Sequence, residues 1–293
     1  MIGHVGDTYV PGTSNPGTIL ERPGGVARNI ARLLAGFGAD PVLVTAIGDD
    51  ANGASLRAAI AEADINLREV PSGPYPTARY LAFHDERGEL IAAIADMQIV
   101  EHLDAEAVMA ALGPADRPGL LIVDCGLSPA LLACIADGKG ERLLAVETVS
   151  TPKVGRMAGI LGAVDLIFTN VAESSSLLGK RFADAAIAAE ALMAAGIGRA
   201  VVSDGSRDLA MGEGGTVRRY AIPTRTVVDV TGAGDALVAG VASGLVAGAP
   251  LEDAVLTGIA AASLAVETAG AGPSLTRDDL DRRRTELATM PKT

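Results

Sequence analysis

Residues 227–245, VVDVTGAGDALVAGVASGL, constrain the fold of this chain more than any other stretch. The β-branched run Val227, Val228 and Val230 predicts a buried strand. Gly232, Ala233 and Gly234 then turn the backbone, and the small uncharged residues after Asp235 predict a packed helix. A strand, a glycine turn and a helix start bring free N–H groups and the positive end of a helix dipole to one corner, which suits an anion. An acid there can accept the proton of an attacking hydroxyl while the amides hold charge developing on a phosphoryl group. Taken alone, G-x-G-D favours a plainer reading, a Gly-rich connection with Asp235 as a first-turn acid. The rest of the chain decides.

Its 293 residues, 49% of them hydrophobic, suit one large α/β domain or two small ones, with a sizeable core. A formal charge of −12 argues against a nucleic-acid surface, which needs a basic face. With no Trp and only four Phe and four Tyr, a base-stacking platform is equally disfavoured. No apolar run is long enough to span a bilayer, and no signal peptide opens the sequence. Cys125 and Cys134 fit neither a metal spacing nor a disulfide framework, so the expectation is a cytoplasmic protein acting on a small ligand.

Along the chain, residues 1–22 read as polar loop with short exposed strands. A glycine pair then leads into a helix over 23–39, with Val26, Ile30, Leu33, Leu34 and Phe37 at helical spacing. Strands and helices alternate to residue 70, and 73–99 interrupt them with a hairpin turning at Asp85-Glu86-Arg87-Gly88. The segments near 5–22 and 73–99 are expected to form a small β lid that excludes water from the site. Beyond residue 101 the alternation resumes: strands at 119–126, 142–150, 164–170, 200–205 and 214–223, and a charged final helix at 277–290. The pattern predicts an α/β fold, a mostly parallel central sheet flanked by helices in one domain spanning 1–293.

Three elements now stand in order: PGGVARNIARLLAGFGA at 23–39, Asn170-Val171-Ala172-Glu173, and VVDVTGAGDALVAG at 227–240. Together they resemble the ribokinase-like (PfkB) family of carbohydrate and nucleoside kinases, over nearly the whole chain. Within it the sequence is most similar to the pseudouridine kinases, through Ser14-Asn15-Pro16-Gly17, the R-N-I-A form of the first motif, Asp96-Met97, Val123-Asp124-Cys125 and Val149-Ser150 with Lys153.

The resemblance implies ATP-dependent phosphorylation of a 5′-hydroxyl, with Mg²⁺ on the phosphates and a K⁺ ion nearby. Asp235 would be the general base, and Gly232, Ala233 and Gly234 would present amides to the transferring group. Gly24 and Gly25 would pass against the sugar, and Asn29 would bond its hydroxyls. Asn15, Thr77, Asp96, Ser150 and Lys153 are candidates for the base. Asn170, Glu173, Ser203 and Gly205 would face the nucleotide, with Glu173 acting on Mg²⁺ through water. Asp229, Thr231, Ala265, Thr268, Gly270 and Ser274 resemble the family's monovalent-cation loop. Asp208 stands where family members have a second glycine, which leaves the turn after Ser203 open.

Family members also begin with a buried strand whose Asp grips the sugar, whereas this sequence begins just beyond that point. We therefore expect a start downstream of the natural one, and a central sheet short of one strand. Two other readings remain at this stage. One is a kinase for ribose, adenosine or another sugar; the other is a non-catalytic nucleoside sensor. A dinucleotide-binding oxidoreductase is disfavoured because the glycine motif lies late and lacks the G-x-G-x-x-G form. An exposed lid hairpin is consistent with a homodimer.

Overall fold

Two short strands, β1 (Ile2–Val5) and β2 (Gly17–Leu20), open the chain ahead of α1 (Val26–Gly36). The computed structural model describes residues 1–116, 118–223, 225–268 and 274–288. Next come β3 (Val42–Thr45), α2 (Ala51–Glu62) and β4 (Asn66–Glu69), with β3 and β4 parallel. The hairpin β5 (Arg79–His84) and β6 (Leu90–Asp96) leads to α3 (Gln98–Glu101) and α4 (Ala105–Leu112). The alternation then runs β7 (Leu120–Asp124), α5 (Pro129–Gly138), β8 (Leu143–Glu147), a 3₁₀ helix (Val154–Ala163), β9 (Leu166–Asn170), α6 (Val171–Leu178) and α7 (Ala185–Ala194). It closes with β10 (Arg199–Ser203), β11 (Asp208–Glu213), β12 (Thr216–Ala221), α8 (Ala233–Val246), α9 (Leu251–Ala265) and α10 (Arg277–Ala288).

The main sheet has the order β12-β11-β10-β9-β8-β7, with β7 to β10 parallel and β11 and β12 antiparallel. Its inner strands are apolar on both faces, as a parallel sheet covered on each side requires. Leu144, Val146, Ile167, Ala200 and Val202 pack with Leu132, Met157 and Leu192. The alternate residues Ala145, Phe168 and Val201 pack on the other face with Leu33, Phe37 and Val238. The expected helical face of α1 is thus the one that is buried.

Two local expectations fail. Residues 208–213, passed over in the sequence, form β11, which is buried over Leu209–Met211 and pairs with β10 and β12. The predicted strand at 227–230 is absent among the described residues, and Val227, Val228 and Val230 are 60%, 58% and 70% exposed. The sheet already ends on β12, so this segment runs instead along the end of α9, where the N–H groups of Val228 and Asp229 both donate to Val266 O.

The small sheet has the order β2-β1-β5-β6, which joins the early segment to the hairpin. Asp85 Oδ1 accepts from the N–H groups of Arg87 and Glu89 and so fixes the hairpin turn. Ile19, Phe83 and Ile94 fall on one face of this sheet by register and remain exposed. β3 and β4 form a separate two-stranded sheet, and no strand pairs with the outer edge of β7 among the described residues.

α8 and α9 meet through small residues. A Cβ on Gly240 would lie 2.7 Å from both Gly258 Cα and Thr257 O, and one on Gly244 would lie 2.8 Å from Ala254 Cα. That close seam holds the N-terminus of α8 at the edge of the sheet where the site forms.

Candidate active site

Four neighbouring parallel strands each end on a polar residue: β7 on Asp124, β8 on Glu147, β9 on Asn170 and β10 on Ser203. Ligands of parallel α/β sheets bind beyond these carboxyl ends. A cavity of about 230 Å³ opens there, and Glu147, Asn170, Glu173, Ser203, Gly234 and Asp235 line it.

Gly232 caps α8 in the left-handed conformation, at φ 83°, which a side chain would strain. Ala233 N–H closes this turn on Val230 O at 3.2 Å, so it faces the turn rather than the cavity as expected. Gly234 and Asp235 lie in the first helical turn, where no carbonyl four residues back belongs to the helix. No atom would meet a Cβ on Gly234 within 4 Å, so a ligand can approach its backbone closely.

Asp235 is held from a helix 206 residues earlier: Asn29 Nδ2 donates to Asp235 Oδ2 at 2.8 Å. Gly25, at φ 102°, starts α1 and so presents Asn29 from its first turn. Arg28 Nη1 donates to Asn29 Oδ1 at 3.2 Å, which leaves the amide nitrogen for Asp235. Asn29, expected on the sugar hydroxyls, here serves the carboxylate, because α1 packs directly on α8. Burial pushes Asp235 up to about 6; the Asn29 hydrogen bond opposes this and Asp124 adds to it.

Glu147, at the end of β8, joins the site without having been expected there. Burial first, and then Asp235, Glu173 and Asp124, push its carboxyl up to about 8. The signal was present: an acid ends an apolar run in the same position as Asn170 and Ser203 in theirs. Burial likewise raises Asp124, against the N–H of Gly126 and the charges of Lys153 and Arg156.

Asn170 does not offer its carbonyl oxygen to a ligand; Oδ1 caps α6 by accepting from Glu173 N–H at 2.9 Å. Glu173 is buried, and Thr148 Oγ1 donates to its Oε2 at 2.5 Å. Among the described residues no group of three or more His, Cys, Asp or Glu side chains could hold a metal directly.

Several predicted residues are committed elsewhere. Asn15 spends both ends of its amide on its own loop, with Val10 and Thr13. Thr77 is buried and its hydroxyl accepts from Gly48 N–H, so it braces a loop instead of meeting a base. Asp96 faces Arg79 at 3.9 Å and Gln98 at 3.4 Å. Ser150 O accepts from the N–H groups of Lys153 and Val154, starting the 3₁₀ helix. Gly24 does not line the cavity. Gly205, at φ 61°, turns β10 into β11, and Asp204 N–H closes that turn on Asp208 O at 2.9 Å, while the Asp208 side chain pairs with Arg219 of β12 at 2.8 Å.

Of the expected cation loop, Asp229 Oδ1 accepts from Thr231 N–H, Ala265 O from Thr268 N–H, and Ser274 Oγ from Arg32 Nη2. The guanidinium on Ser274 opposes a cation at that residue, and Gly270 lies outside the described residues.

A model of the pfkB family carbohydrate kinases matches residues 1–278. The pseudouridine kinase of Escherichia coli is 32% identical over 247 residues, covering 83% of this chain and 79% of that protein. A carbohydrate kinase from Agrobacterium tumefaciens, 27% identical, superposes with a TM-score of 0.84 over 97% of this chain and 93% of its own. The Thermotoga maritima ribokinase, 22% identical, shares the fold at a TM-score of 0.84, covering 97% of this chain and 95% of its own. The chain therefore belongs to the PfkB family of carbohydrate kinases, and its reaction is phosphoryl transfer to a hydroxyl of a sugar or nucleoside.

Proposed function

We propose that this protein transfers the γ-phosphoryl group of ATP to the 5′-hydroxyl of pseudouridine. The observation that carries the reaction is Asp235, a half-buried carboxylate lining the cavity at the start of α8 and oriented by Asn29. In this reading Asp235 accepts the proton of the acceptor hydroxyl as the oxygen attacks in line. The amides of Gly234 and Asp235, with the dipole of α8, stabilise the charge on the phosphoryl oxygens. Raised to about 6, Asp235 is still ionised at neutral pH and more basic than an ordinary carboxylate.

Glu173, which lines the cavity, would act on a hydrated Mg²⁺ through water, and that ion would neutralise charge on the nucleotide phosphates. The small sheet, with strands reaching from both lid segments, would close over the acceptor and exclude water. The choice of pseudouridine rests on the relative that is 32% identical.

A panel of pseudouridine, uridine, adenosine and ribose with ATP and Mg²⁺, run with and without K⁺, tests the assignment. Pseudouridine is expected to rank first in kcat/KM; a higher rank for ribose or adenosine would move the assignment within the family. A second expectation concerns pH. The base must be ionised, so kcat/KM should fall as pH drops below about 6. Asn29 lowers the Asp235 pKa by bonding the charged form, so Asn29→Ala should move that limb to higher pH. A limb unmoved in Asn29→Ala would remove Asn29 from the mechanism.

A further inference from the structure

The backbone leaves β8 in an unusual way. Val149 sits at φ 65°, in the left-handed region, where a β-branched residue is a genuine outlier. Ser150 N–H donates to Thr148 O at 2.7 Å, so Thr148–Ser150 form the rare, strained γ-turn with positive φ at its centre. A glycine would relieve the strain, yet valine stands here, and such strain persists only where the surroundings hold it.

What holds it is the site itself. Val149 N–H turns back and donates to Glu147 Oε2 at 2.7 Å. One residue earlier, the fully buried Thr148 donates its hydroxyl to Glu173. One bend therefore steadies two carboxylates that line a single cavity, and the Val149 side chain lines it too. Glu147 shares the cavity with Asp235 and Glu173, and the Val149 amide is the bond that fixes its Oε2 there. Because Oε2 is taken, Oε1 is the oxygen left for an incoming hydroxyl.

We propose that Val149 is a positioning residue for phosphoryl transfer: its strained turn aims its own amide at Glu147 and thereby fixes that carboxyl against the acceptor. The inference rests on the reading that this cavity receives the acceptor alcohol.

The test uses the full chain and the acceptor that ranks first in the panel. Val149→Pro removes the N–H and forces φ negative. It should raise the acceptor KM about fivefold or more, the effect of losing one ordinary hydrogen bond, while leaving the ATP KM within about twofold. Val149→Gly keeps both the N–H and access to positive φ, and should restore the acceptor KM to within about threefold of the parent. In a Glu147→Ala background, Val149→Pro should add less than about twofold, because the two residues act through one contact.

Amide exchange at residue 149 gives a readout that does not need the proline variant to fold. It should be slow in the parent and about tenfold faster in Glu147→Ala. Proline and glycine variants that both follow thermal stability alone, effects that multiply in the double variant, or exchange unchanged by Glu147→Ala would each overturn the proposal. If Asp235→Asn is inactive when such a result is obtained, only the role of Val149 is lost. If Asp235→Asn stays active, the underlying reading of the cavity fails instead.

Discussion

Asp235→Asn is expected to fold like the parent and to lose about 10²- to 10⁴-fold in kcat, the usual contribution of a positioned general base. The substitution is close to isosteric, and the new amide oxygen can still accept the Asn29 hydrogen bond that holds the parent side chain at 2.8 Å. What disappears is the ability to take a proton. Binding of ATP should change little, because the amides of residues 234 and 235 belong to the backbone. Steady-state rates with matched thermal melts check this, and a variant within about tenfold of the parent would remove Asp235 from its role.

Gly240→Val is the largest expected loss of stability. Gly to a larger residue inside an exposed helix normally gains helix propensity, by roughly 0.5–1 kcal/mol for Ala. Here the new Cβ would stand 2.7 Å from Gly258 Cα and from Thr257 O, and 2.9 Å from Ala261 Cβ. Two of those neighbours are backbone, so no rotamer change relieves the clash and α8 must move off α9. Overpacking alone costs about 1–3 kcal/mol; separating two buried helices should take the cost to the top of that range or beyond it. Against the ~5–15 kcal/mol that holds a typical domain together, this is a large fraction. The melting temperature should fall by about 6–12 °C, from about 3 kcal/mol at 2–4 °C per kcal/mol in a chain of this size. A variant melting within about 2 °C of the parent would show that the seam can widen freely.

The framework was legible because its signals are local. Periodicity places α1 and its buried face, the alternation of apolar runs with helices gives the parallel sheet, and glycine spacing marks the turn before α8. The asparagine at position 170 announces a helix start, and the structure uses it as one. Long-range partnerships were not legible. Nothing near Asn29 in the sequence indicates that its amide meets a carboxylate 206 positions away. Glu147 falls inside the strand expected at 142–150, and only the structure shows that the strand stops there and turns this acid into the cavity. The valines at 227, 228 and 230 misled because β-branched composition signals a strand without supplying a partner for it. β11 was missed because Asp208 and Gly212 dilute an otherwise apolar stretch.

The glycine-to-backbone contact between α8 and α9 also bears on how a turnover cycle can proceed. A helix locked that tightly to its neighbour cannot slide to greet an incoming alcohol, so Asp235 is a fixed anvil. In the proposed lid role, the travel falls to the four-stranded sheet β2-β1-β5-β6, whose Ile19, Phe83 and Ile94 stay exposed. A sheet in that role would make turnover speed answer to how readily it opens and closes as much as to the proton transfer itself.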